Sequence, residues 1–155
     1  MIKHLTKPIR AIHFMVLAFL MTLSSPGTSG ELEGTTAYFS GDYATALREL
    51  TPEAEKGNPI SQVTLGLMYK ERKGVRREYN KAIKLFRLAA KPKKNDPIYY
   101  EIGRKDARYY LGLMHLKGTG VIQDYVMAHM WFNIASSAGM VAGELRRNAV
   151  AKEMS

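Results

Sequence analysis

The chain of 155 residues contains no cysteine. That excludes disulfide staples, thiolate metal ligands, a thiol nucleophile and a lipid-modified cysteine behind an export signal. It has no Asn-x-Ser/Thr glycosylation acceptor, no Gly-x-Ser-x-Gly hydrolase elbow and no glycine-rich phosphate loop leading into a lysine. Histidine is scarce. Of His4, His13, His115 and His129, the last two lie 14 residues apart with no paired acid at ligand spacing. A metal site usually needs three or four protein ligands. No catalytic residue, metal ligand or cofactor is therefore expected. Long apolar runs are missing too. The longest, residues 11–23, is interrupted by His13 and Thr22 and falls short of the roughly 20 residues that span a bilayer as a helix.

What is present begins with a separate N-terminal object. Lys3, Lys7 and Arg10 form a positive head without acids, residues 11–23 are the apolar stretch, and Ser24 to Gly30 are small and turn-forming. This layout reads as a secretory signal peptide over residues 1–30, cleaved after Thr28-Ser29-Gly30 or after Ser25-Pro26-Gly27. The remaining 31–155 suffice for one domain. An exported domain without disulfides suits a bacterial periplasm, so the expected location is periplasmic or secreted.

Acids are in deficit, with 14 against 23 Lys and Arg and a net charge of +9. The imbalance is local. Residues 70–94 hold 11 basic residues and only Glu71 and Glu78, a net of +9, while the rest of 31–155 has nine basic and 12 acidic residues. Arg72, Arg76 and Arg77 lie in one turn. Lys81, Lys84, Arg87 and Lys91 follow at intervals of three or four, which places them on one outer helical face. A solvated face is the plain reading. The functional one is attraction to an anionic envelope surface or an acidic protein. Nucleic acid is not an expected partner of an exported chain.

The chain also repeats itself. Leu65-Gly66-Leu67-Met68 returns as Leu111-Gly112-Leu113-Met114, and ten of the 26 positions in residues 65–90 are identical 46 residues later. Gly74, Tyr79, Ala82, Phe86 and Ala89 map onto Gly120, Tyr125, Ala128, Phe132 and Ala135. A third copy of the acid-Tyr-x-x-Ala phrase begins at Asp42, with Tyr43 and Ala46. The spacings are 36 and 46 residues, so the second interval carries ten extra residues, placed between Lys91 and Lys105. Such periods belong to stacked helical repeats.

Each unit reads as two helices. Ala107, Leu111 and Met114 form one apolar stripe, and Gly118 and Gly120 break it. Asp124 caps a second helix whose inner residues are Tyr125, Ala128, Phe132 and Ala135, with Trp131 beside them. Small residues mark close helix approach and large neighbours fill the rest. The expected units are 35–58, 59–93 and 104–139. The first is expected as a half-repeat with a short opening helix at 35–40. A capping helix at 142–154 is expected to turn Leu145, Ala149 and Val150 inward.

Leu111-Gly112-Leu113-Met114-His115, then Gly118-Thr119-Gly120-Val121, Asp124-Tyr125, Ala128 and Trp131-Phe132-Asn133-Ile134-Ala135 resemble the Sel1-like repeat, one of the tetratricopeptide-like solenoid families. The likeness covers most of residues 35–150. It implies an all-α fold, a short α/α solenoid of about seven helices in antiparallel pairs. Three positions depart from the family pattern. Arg72 replaces the first turn glycine, so that turn is expected to differ. Leu85 replaces the tryptophan, and His115 replaces a tyrosine. The ten-residue insertion is expected to push the third unit out of the regular stack.

The resemblance implies protein–protein interaction rather than catalysis. The expected function is an envelope scaffold or adaptor that holds a peptide or protein segment in the solenoid groove. Two alternatives stand beside it: an electrostatic binder of an anionic envelope surface through Arg72, Arg76, Arg77, Lys81, Lys84 and Arg87, and an envelope enzyme acting on cell-wall material.

Overall fold

A computed structural model describes residues 29–154. The signal-peptide assignment rests on residues 1–30, which lie outside the described part except for Ser29 and Gly30. Seven helices follow in order: α1 Ser29–Ser40, α2 Tyr43–Lys56, α3 Pro59–Glu71, α4 Tyr79–Ala89, α5 Tyr100–Lys117, α6 Tyr125–Ser137 and α7 Val141–Glu153. No strand occurs among the described residues. The fold is an all-α solenoid of helix pairs α1/α2, α3/α4 and α5/α6, closed by α7. The first helices α1, α3 and α5 stack in sequence, and each second helix also touches the first helix of the next pair.

Local chemistry sets the boundaries. Asp42 and Asp124 accept the Thr45 and Met127 backbone N–H groups at 3.1 and 2.9 Å, which satisfies donors the first helical turn leaves unpaired. Asn58 does the same for Ile60 and Ser61, with Pro59 at the first helical position where its missing N–H costs nothing. Glu78 has the longer side chain and makes no capping bond.

The repeated residues make repeated contacts. A Cβ on Gly66 would lie 2.5 Å from the Phe86 ring, and one on Gly112 would lie 2.6 Å from the Phe132 ring. Glycine is therefore what lets the two helices of a pair approach with a full ring between them. Leu65, Met68, Ala82 and Phe86 are buried, as are Leu111, Met114, Ala128 and Phe132. In the first pair Gly34 faces Leu50 in the same way. That pair is complete, not a half-repeat, and its first helix begins at Ser29 rather than at 35. It escaped the sequence comparison because its turn has only two residues, Gly41 and Asp42, which puts Gly34 out of register.

Two further expectations are corrected. Arg72 does not change its turn. Its φ and ψ of 62° and 36° match the 64° and 30° of Gly118. The bonds Lys73 N–H to Met68 O (3.0 Å) and Glu78 N–H to Tyr69 O (3.0 Å) match Thr119 to Met114 (2.9 Å) and Asp124 to His115 (2.9 Å). Nor is the third unit displaced. The Gly74 turn rests on Tyr43, and the Gly120 turn rests on Tyr79, where a Cβ would sit 2.5 Å from the tyrosine Cβ. Tyr125, with no further repeat turn above it among the described residues, is 39% exposed and accepts a 3.2 Å hydrogen bond from the Gln123 side-chain amide.

The insertion is absorbed at one place. Half of it lengthens α5, which starts at Tyr100 instead of near 104, and the other half forms the loop before it. Arg104, buried, ties the loop down by pairing with Asp96 and with Glu101 at 2.7 Å. Gly103 lets α5 cross the backbone of Pro59 and Ile60 closely. In α7 the inward residues are Gly143 and Val150, whereas Leu145 is 66% exposed and Ala149 is exposed as well. The reason is Gly143, whose close crossing over Ser136 N and Ala135 fixes the helix rotation.

Candidate functional site

Stacking the first helices creates one face from α1, α3 and α5, and that face carries a groove of roughly 380 Å³. Ile60, Val63 and Leu67 of α3 give it an apolar floor. Phe39 of α1 and Ile102 of α5 border it at 85% and 53% exposure. Large apolar side chains that stay in water beside an apolar depression are a usual mark of a binding surface.

Polar groups stand along the groove at fixed points. Glu71 bonds Lys70 and Lys73, each at 3.0 Å. Burial works against its ionisation, but the two ammonium groups outweigh it and hold its carboxyl below the usual range. Lys73 also donates to the Tyr38 hydroxyl at 3.0 Å, and that bond together with Glu71 raises its pKa. Lys70 lies 5.6 Å from the centre of the Tyr110 ring. Asp106, one turn before Tyr110 on α5, is different. Its side chain has no hydrogen bond or ion pair among the described residues. Burial pushes its carboxyl pKa up, with Lys105 only partly opposing. Tyr110 is raised by burial, then by Asp106 and Glu71.

The basic block does not form one row. Lys84 and Arg87, with Lys91, border a shallow depression of roughly 440 Å³ beside the Gly120 turn. Arg72, Arg76 and Arg77 surround a second, of roughly 610 Å³, at the Gly74 turn. Lys81 leaves both. Its Nζ sits 4.1 Å over the Tyr69 ring and lines a third depression with Leu85 and Leu88. The expected single face is thus split, because an aromatic neighbour attracts one of its four cations. Of the eleven basic residues in 70–94, only Lys70 and Lys73 form ion pairs among the described residues.

His115 is buried without a partner for Nδ1, and burial lowers its pKa. Its backbone carbonyl accepts the Asp124 N–H at 2.9 Å. No group of three or more His, Asp or Glu able to hold a metal occurs among the described residues. Trp131 is half-buried against the core between the second and third pairs, as a packing residue.

Sequence reasoning missed Phe39, Ile102 and Asp106. A signal existed for the last. At the 46-residue offset, Asp106 stands where the previous copy has Ile60.

The Sel1 repeat model matches residues 59–91 and 105–140. Two solved structures are similar. One is c5321, a protective antigen of uropathogenic Escherichia coli strains displaying an SLR fold. It shares 34% identity at a TM-score of 0.61, over 74% of this chain and 23% of that one. The other is a Sel1 repeat protein from Oxalobacter formigenes, with 26% identity and a TM-score of 0.67, over 79% of this chain and 46% of that one. The chain thus spans less than half the length of either. No curated protein is a significant match.

Proposed function

Because the chain is a Sel1-like repeat protein, we propose that it is an adaptor whose groove on the α1/α3/α5 face holds a peptide or protein segment. Sel1 repeats generally mediate protein–protein interaction and act as non-catalytic scaffolds. The observation that carries the reading is the open groove with Phe39 and Ile102 exposed at its edges. Burying a large apolar side chain contributes roughly 1.5–3 kcal/mol, so two such edges supply useful affinity to an occupant. The N-terminal sequence layout supports a periplasmic or secreted location after signal cleavage. The test is a photo-crosslinking residue at position 102 in living cells. A specific protein adduct, lost on Phe39→Ala, is expected. Adducts that are random, or indifferent to Phe39, overturn the reading. Fractionation and N-terminal mass spectrometry check the location.

A second reading has its own observation. Arg72 holds a left-handed backbone in a turn where glycine would be comfortable, beside Arg76 and Arg77, which form no ion pair among the described residues. Backbone strain kept at an exposed cationic turn points to use of the side chain. This turn would then attract an anionic envelope surface. Reversing Arg76, Arg77 and Lys84 to glutamate is expected to abolish sedimentation with phosphatidylglycerol vesicles, and undiminished binding refutes it.

A further inference from the structure

We propose that Asp106 is the anchor point for a lysine or arginine side chain of the bound segment, with apolar neighbours of that side chain packing on Phe39 and Ile102. The inference rests on the groove reading and names the chemistry of its occupant.

Asp106 and Glu71 line the same groove, but their charges stand differently. Glu71 is matched internally by Lys70 and Lys73. Asp106 is not matched by any ion pair among the described residues; Lys105, its neighbour in sequence, acts on it only through space. Of the tyrosines lining the groove, Tyr38 already accepts the Lys73 ammonium, and burial makes Tyr110 hold its proton more firmly than usual. The groove therefore offers one unsatisfied negative charge over an apolar floor of Ile60, Val63 and Leu67.

A half-buried carboxylate without a partner is costly, and covering it with a neutral ligand makes it more so. A cationic side chain reverses the sign. Its head pairs with Asp106, and its methylene stem lies along the apolar floor, which is how lysine and arginine normally cover apolar surface. A small amine or a lone cation would use the carboxylate but leave Phe39 and Ile102 in water. A purely apolar segment would cover those two and leave Asp106 buried and unpaired. Only a segment carrying both chemistries satisfies the whole groove. The volume, roughly 380 Å³, lies in the range of natural ligand pockets.

The test is a random nonapeptide library displayed on phage and selected against the purified protein. Selected peptides are then synthesised with Lys or Arg and with norleucine at the enriched position. The expected result is enrichment of a basic residue flanked by apolar ones, and about tenfold weaker binding of the norleucine version, as suits a charge-assisted bond. In Asp106→Asn that preference should fall below about twofold, and in Asp106→Glu it should survive. The Asp106 carboxyl carbon, followed by NMR, should titrate at lower pH in the complex than in the free protein. Peptides whose binding needs Phe39 and Ile102 but shows no cation preference overturn the anchor and leave the groove reading intact. Binding indifferent to Phe39→Ala and Ile102→Ala overturns both.

Discussion

Replacing Arg72 with glycine should stabilise the protein. The Arg72 and Gly118 turns share backbone angles and hydrogen bonds, so each reports on the other. A left-handed backbone costs an L-residue about 1–2 kcal/mol because Cβ crowds the following carbonyl. Glycine removes that cost but adds freedom to the unfolded chain, worth about 0.5–1 kcal/mol in the other direction. The side chain of Arg72 is exposed and has no hydrogen bond or ion pair among the described residues, so its loss removes no native bond. The net is a gain of about 0.5–1 kcal/mol, or roughly 2–5 °C in Tm for a domain of this size. Unfolding followed by circular dichroism at 222 nm measures it, in salt high enough to screen Lys73, Arg76 and Arg77. Arg72→Asn should fall between the two, since asparagine tolerates the left-handed region better than arginine. The reverse change, Gly118→Arg, should lower Tm by more, because its Cβ would also press on Gln123 at 3.2 Å. A Tm for Arg72→Gly at or below the parent value refutes the strain argument. It would also remove the observation behind the anionic-surface reading.

Gly112→Ala should destabilise by about 1–3 kcal/mol through overpacking against Phe132, reduced by up to about 1 kcal/mol of helix propensity. Adding Phe132→Leu should recover part of the loss in a double-mutant cycle of urea midpoints. Arg104→Ala should cost about 3 kcal/mol by leaving the mostly buried Asp96 without its cation, whereas Glu101 keeps Arg108 at 3.6 Å, and Arg104→Met should cost less. Asp106→Asn should raise Tm in the absence of ligand, because its burial opposes the charged form, even as it weakens selected cationic peptides. His115 has a lowered folded pKa, so the unfolded chain takes up its proton first. Its contribution is level above about pH 6.5 and is lost as pH falls below that. Urea midpoints between pH 7.5 and 5.5 should drop more steeply for the parent than for His115→Gln.

The stack was legible because its determinants recur. Glycine against an aromatic ring, alanine at the crossing and a tyrosine under the next turn are local patterns that survive translation by 36 or 46 residues. Gly34 and Leu50 carry the same contact, but a shortened turn breaks the offset, and only space reveals the match. The rotation of α7 was unreadable for another reason. Apolar residues lie on more than one side of it, and hydrophobic pattern alone favours Leu145. The helix instead follows Gly143, the residue that permits the closest backbone approach. Arg72 shows the converse. Residue type argued for a different turn, yet the surrounding bonds impose the same one and the arginine bears the strain.

Surface chemistry obeyed a different rule from the core. Most helix positions that repeat are buried, and a buried position tolerates little variation in volume. The groups that distinguish this solenoid therefore sit where the copies disagree. Arg72 stands against Gly118, Asp106 against Ile60, and the insertion that brings Ile102 to the groove has no counterpart in the second pair. The same subtraction of one copy from another separates the two faces. On the α1/α3/α5 side it leaves one unmatched carboxylate among apolar edges. On the α4 side and its preceding turn it leaves arginines and lysines that form no ion pair among the described residues. Opposite charges on separate faces of one rigid stack allow a basic apolar segment and an anionic surface to be held together without competing. A variant lacking Asp106 and one lacking Arg76, Arg77 and Lys84 should then each lose one interaction and keep the other.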